Sequence, residues 1–220
     1  MGSSIIQLLV LAGIAVFLIL RLRSVLGTRE GFEKPPVPMS GGDTRRDRPE
    51  FDVIEGGVDR DITDHVKDGT DAAHALAAMK IAEPGFSVSE FLDGARGAYE
   101  MILMAFENGD IAEIRGFIDP EIADAFQSVV DQRNEAGLTV HANFVGIREL
   151  TLADASMNRD TAEGEITVRF VGEMTSVVKN ADGDIVEGSA TEIKRQRDVW
   201  TFARRLGVDD PNWILVATDE

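Results

Sequence analysis

The sequence predicts an α+β fold: a membrane-spanning helix, a proline-rich linker, then helices packed on one face of a curved antiparallel sheet. Three observations carry this. Residues 5–20 form an uncharged apolar run. Between Ser87 and Ala136 apolar residues recur at three-to-four spacing, the period of a helix with one buried face. From Leu138 onward the period falls to two, the alternation of half-buried strands. Helices first and strands after place the helices together on one side of the sheet.

The apolar run IIQLLVLAGIAVFLIL contains one strongly polar residue, Gln7. As a helix it is roughly 24 Å long, and a hydrocarbon core is ~30 Å thick. Residues 2–4 and the snorkelling stem of Arg21 close the difference. Ile5, Leu8, Leu9, Leu11, Ile14, Phe17, Leu18 and Leu20 are the expected lipid-facing anchor. A cleavable signal peptide wants a basic start and a small-residue cleavage site, whereas residues 1–4 carry no Lys or Arg and the run ends at Arg21 and Arg23. A buried core helix would show a polar face, which this run lacks. Arg21 and Arg23 follow the helix and nothing basic precedes it, so the positive-inside rule puts the rest of the chain on the cytoplasmic side.

With an anchor (residues 1–26) and a linker (27–61) set aside, a chain of 220 residues leaves one domain of ordinary size. The formal net charge of −17 argues against nucleic-acid binding and against a domain lying flat on anionic lipid. With no cysteine, disulfides, thiolate zinc sites and a Cys nucleophile are excluded. His65, His74 and His141 show no metal-ligand spacing, so no metal and no cofactor is expected.

The linker carries Pro35, Pro36, Pro38 and Pro49, two Gly-Gly pairs and few large apolar residues. Proline blocks both ladders, and so little apolar surface cannot offset the entropy of ordering. Residues 62–83 form a pre-domain segment in which DAAHALAAMKIA (71–82) is a helix stopped by Glu83-Pro84-Gly85. Its stripe of Ala72, Ala75, Leu76 and Met79 serves either a docking helix, against the domain or a partner, or a weakly ordered one.

The domain proper is expected over residues 84–220. Ser87 and Glu90 read as a capping box opening a helix whose inward stripe is Phe91, Leu92, Ala95, Ala98, Tyr99, Ile102, Leu103 and Phe106. A short helix follows over 110–118. Asp119-Pro120 then starts another, with Ile122, Ala123, Phe126, Val129 and Val130 inward and Gly137 as its stop. A strand over 139–153 is expected to bulge at the adjacent Phe144 and Val145. Ala162, Gly164, Ile166, Val168 and Phe170 alternate with Glu163, Glu165, Thr167 and Arg169 in the next strand. Residues 180–183, NADG, make a hairpin turn; residues 191–206 and 213–218 complete the sheet.

Four ordered blocks, FLDGARGAYEMILMAFENGDIAEIRGFI (91–118), FVGI (144–147), DVWTFARR (198–205) and DPNWILVAT (210–218), resemble the Tim44-like domain family. The arrangement of one membrane helix, Pro-rich linker and domain is similar to its alphaproteobacterial branch. The resemblance implies a cystatin-like roll, also described as nuclear-transport-factor-2-like, with a large apolar pocket and no catalytic residues. It further implies a bacterial inner-membrane, single-pass adaptor with a cytoplasmic domain, engaging a protein partner in translocation or membrane-protein biogenesis. Mitochondrial members carry a long N-terminal docking region where this chain has the shorter, different residues 27–82.

No nucleophile elbow, P-loop or dinucleotide fingerprint is present, so no catalytic residue is assigned. An isomerase of the roll type would need a buried carboxylate with a raised pKa in the pocket. Phe91, Tyr99, Phe106, Trp200, Phe202 and Trp213 are either core or the lining of a groove for a peptide, lipid or other apolar ligand. Lys194, Arg195, Arg197, Arg204 and Arg205 form a basic cluster on an acidic domain, either a solvated strand face or a docking site.

Overall fold

Nine elements follow one another in the computed structural model, which describes residues 59–219. They are α1 (Arg60–Thr63), α2 (Asp71–Ala82), α3 (Val88–Asn108), α4 (Ile111–Ile114), α5 (Pro120–Glu135), β1 (Thr139–Asn158), β2 (Glu163–Lys179), β3 (Ile185–Arg205) and β4 (Ile214–Asp219). The apolar run 5–20, Arg21, Arg23 and the linker up to residue 58 lie outside the described residues. Among the described residues no helix is long and apolar enough to cross a membrane.

The strands form one antiparallel meander in the order β1-β2-β3-β4. The expected alternation in β2 holds: Gly164, Ile166, Val168, Phe170, Gly172 and Met174 are its inward row. α3 supplies the other half of the core through Val88, Phe91, Leu92, Ala95, Tyr99, Ile102 and Leu103, with Ala98 and Phe106 half-buried beside them. α2 packs on the domain's own sheet, and its Leu76 and Met79 are fully buried.

Two glycines in the β2 row set how closely helices and sheet approach. A Cβ on Gly172 would stand 2.6 Å from the Tyr99 hydroxyl oxygen, and one on Gly164 would stand 2.9 Å from the terminal methyl of Met79. Gly188 is needed for a different reason. Its φ is +76°, and a Cβ there would fall 2.1 Å from the Ser176 carbonyl oxygen.

β1 bulges between Phe144 and Gly146 as expected, and again between Ile147 and Glu149 and between Leu152 and Asp154. Each extra residue bends the strand and increases its twist, so β1 curves over its whole length. β3 makes a larger excursion, since Lys194 pairs with Met174 whereas Ser189 already pairs with Ser176. Ser189 Oγ accepts from the amides of Thr191 and Glu192 within it.

Two helical expectations are corrected. The helix over 110–118 is only α4, because residues 117–119 turn out to pair with β4: Leu215 donates to Phe117 O at 2.9 Å and Asp119 donates to Leu215 O at 2.8 Å. That pairing covers the outer edge of β4. Val129 is not inward but 40% exposed. α5 touches the core along a narrow seam through Ala123, Phe126 and Val130, and Val129 lies about 100° of helix rotation away from Val130.

Ala at Gly172 is expected to destabilise the domain by about 1–3 kcal/mol, because the rigid Tyr99 ring cannot give way. Ala at Gly164 should cost less, since the thioether end of Met79 can swing aside. Urea unfolding of the two variants would rank them.

Candidate interaction surface

The N-terminus of α3 is held by a side chain from α1. The first amides of any helix lack intrahelical partners. Ser87 Oγ accepts from the Glu90 amide at 3.3 Å, which is half of the expected capping box. The return bond from Glu90 is replaced by Asp61, which accepts from the amides of Val88 (2.8 Å) and Ser89 (2.9 Å) and the hydroxyls of Ser87 (3.1 Å) and Ser89 (2.7 Å). Lys80 pairs with Asp61 and Asp59, each at 2.8 Å. Burial would raise the Asp61 pKa, but the bonds from Lys80, Ser89 and Val88 outweigh it and hold the carboxyl far below its ordinary range. Burial likewise lowers Lys80, and the two carboxylates overcome that to raise it. Asp59 and Asp61 thus belong to the contact that seats α3.

Five of the six aromatic candidates meet one another. Tyr99 stacks on Phe170 with centroids 4.4 Å apart and 11° between planes, and it packs against Trp200 at 4.8 Å. Phe91 lies edge-on to Trp213 at 4.7 Å and to Phe202 at 6.0 Å. Phe106 sits apart, against Phe126 at 4.7 Å with the Arg133 guanidinium 4.5 Å from its centroid. Phe91, Tyr99, Trp200 and Phe202 are buried, and Phe106 and Trp213 half-buried. Two open clefts of about 260 and 330 Å³ lie elsewhere. One lies between α2 and β1 at His74, Met157 and Arg159, the other beside β3 and β4 at Glu163, Arg205 and Asn212.

Sequence reasoning missed Asp198, which is 7% exposed; the available signal was its alternation with Trp200 and Phe202, which puts it on their face of β3. Its Oδ2 accepts from the Tyr99 hydroxyl at 2.5 Å and its Oδ1 from Gln196 Nε2 at 3.0 Å. Burial and the adjacent carboxylate both push the Tyr99 pKa well above its ordinary value, so the phenol stays protonated as the donor. This pair ties α3 to β3 within the packed interior, and Asp198 lines neither cleft.

Strand register divides the basic cluster. Residues directly opposite in an antiparallel pair point to the same face. Lys194 opposes Met174, on the helix side. Arg204 opposes Gly164, also on the helix side, and its side chain is only 8% exposed. It donates to Glu83 Oε1 at 2.6 Å and lies 5.2 Å from the Trp213 ring centroid. Burial raises the Glu83 pKa, but the Gly207 amide and Arg204 more than offset this and lower it.

Arg195 opposes Glu173 and Arg197 opposes Val171, both on the face away from the helices. There they join Arg169, opposite Val199, and Arg148, which reaches Glu173 at 3.5 Å. Arg195 Nε donates to the same Glu173 oxygen at 2.9 Å, and the two arginines hold the Glu173 pKa down. Arg205 opposes Glu163 at the far end of this face.

A family model described as a Tim44-like domain matches residues 72–220. The human mitochondrial import inner membrane translocase subunit TIM44 is 23% identical over 154 residues, 66% of this chain. The chain spans about a third, 33%, of that relative's length. Among solved structures, the intermembrane space region of the chloroplast protein ARC6 aligns with a TM-score of 0.35 and 11% identity, covering 66% of this chain and 94% of that one.

Asp61→Ala should destabilise the domain by about 2–3 kcal/mol at neutral pH, since four donors and Lys80 lose a charged acceptor. The carboxyl's folded pKa lies below the ordinary 3.8, so its contribution is full above that value and is lost as pH falls toward the folded one. The gap between wild type and variant is therefore expected to close in acid, which denaturant titrations at a series of pH values would read.

Proposed function

The chain belongs to the Tim44-like domain family, and from that premise we propose that it is a membrane-tethered adaptor in protein translocation or membrane-protein biogenesis. The family match over residues 72–220 carries this reading. The name of the human relative, a translocase subunit, adds the process.

In this reading residues 5–20 span a bacterial inner membrane once, and Arg21 and Arg23 keep the domain on the cytoplasmic side. A flexible linker of such length reaches about 30–35 Å r.m.s., which holds the domain near the bilayer and raises its effective concentration at membrane partners. The adaptor acts by binding rather than catalysis. Most of the aromatic residues that would line a ligand pocket pack against one another instead, and Glu107, the carboxylate whose pKa burial raises, lines neither cleft.

In-cell crosslinking of the full chain, followed by detergent purification and mass spectrometry, tests the proposal against residues 28–220 alone. Translocation or insertion machinery should be enriched with the full chain and lost without residues 5–20. Enrichment of a lipid or small molecule with no such protein would overturn the adaptor reading.

A further inference from the structure

The face of the sheet away from the helices carries a charge pattern that the rest of the domain does not. Arg169 and Arg197 have no ion-pair partner among the described residues, and Arg148 and Arg195 share the single carboxylate of Glu173. The side chains of Arg148 and Arg195 remain 60% and 55% exposed. Arg195 and Arg197 are alternate residues of β3, about 6.6–7 Å apart, and Arg169 is the diagonal neighbour of Arg197 across the β2/β3 seam. Half-buried Val199 and the hydrogen-bonded hydroxyls of Thr167 and Thr201, 2.9 Å apart, continue along that seam. No helix among the described residues covers it.

We propose that this seam binds an acidic protein segment in extended conformation, with Arg169, Arg195 and Arg197 pairing carboxylates at alternate positions. An extended peptide repeats its side chains at the same spacing as β3, so carboxylates at every second residue match Arg195 and Arg197. The guanidinium forks of Arg169 and Arg197 suit bidentate carboxylate pairing, and Arg195, whose Nε holds Glu173, offers its terminal nitrogens. The same face carries acids around these arginines: Glu149 and Asp154 on β1, Glu165 and Glu163 further along β2, and Asp219 opposite Val199 on β4. A continuous anionic surface, such as a lipid bilayer, would have to meet those acids, whereas a short strand over Arg195, Arg197 and Arg169 stops before Glu165 and stays clear of β1. The inference rests on the adaptor reading and deepens it by giving the partner's chemistry.

The test uses the full chain in uncharged lipid nanodiscs. A fluorescein-labelled peptide of alternating glutamate and alanine is titrated by anisotropy, with a lysine–alanine peptide and phosphatidylglycerol vesicles in parallel. Binding of the acidic peptide that weakens steeply with salt, and about tenfold or more in R169E/R197E, is expected. The uncharged pair R169Q/R197Q should fall between, and unchanged melting of both variants would show that the domain remains folded. Equal binding by R169E/R197E, or vesicle binding with none to the peptide, overturns the proposal.

Photo-crosslinkers at Val199 on the seam and at exposed Met101 on α3 separate the two readings. A membrane-dependent partner caught from Val199, and lost in R169E/R197E, supports the seam. A partner caught only from Met101 overturns the seam and leaves the adaptor standing.

Discussion

The close seating of α3 on the middle of the sheet is the constraint on which the other contacts depend. Tyr99 can reach Asp198 and stack on Phe170 only because Gly172 presents no side chain beneath the phenol. Leu76 and Met79 of α2 are fully buried at the same layer because Gly164 makes room for the thioether. With the helices that close, the rings of Tyr99, Phe170 and Trp200 pack against one another between the layers. The interior is therefore built for rigidity, and the chemistry available to partners lies on the outside.

Seating α3 also leaves its first amides in need of acceptors, and the chain meets that need from a distance in sequence. Asp61 lies far upstream of Val88 and Ser89, in a stretch whose composition is that of a linker. Lys80 then balances Asp61 and Asp59, so α1, α2 and α3 converge on one polar point. Glu83 makes a second tie by accepting from Arg204 and from the Gly207 amide at the far end of β3. Two depressed carboxylates, both upstream of Pro84, thus fix the approach to α3 to both layers of the domain.

Much of this was legible from local pattern. The helix stop at Gly137, the Asp119-Pro120 start, the inward row of β2 and the turn at residues 180–183 each depend on residues near one another in sequence. What escaped depends on register. The basic run of β3 looked like one cluster, but successive residues of a strand face opposite ways, and Lys194 and Arg204 are on the helix side while Arg195 and Arg197 are not. Asp198 shares the side of Trp200 and Phe202 by period two, but its partner Tyr99 comes from a distant helix that only the fold brings to it. Val129 was misplaced by a single residue of helix phase.

Register also explains how a strongly acidic chain presents arginines without forming a broad basic surface. On the helical side exposed Glu90, Asp93, Glu100 and Asp124 set the sign of the field. On the open face, pairing brings Arg169 of β2 beside Arg197 of β3, and a bulge in β1 inserts Arg148 beside Glu173. Deleting Arg148 would remove that bulge, leave Ile147 and Glu149 on the faces they already occupy, and take one positive charge away from Glu173. The irregularity that curves β1 is thus the same feature that gathers its positive charge, so the shape of the sheet and its charge pattern cannot vary independently.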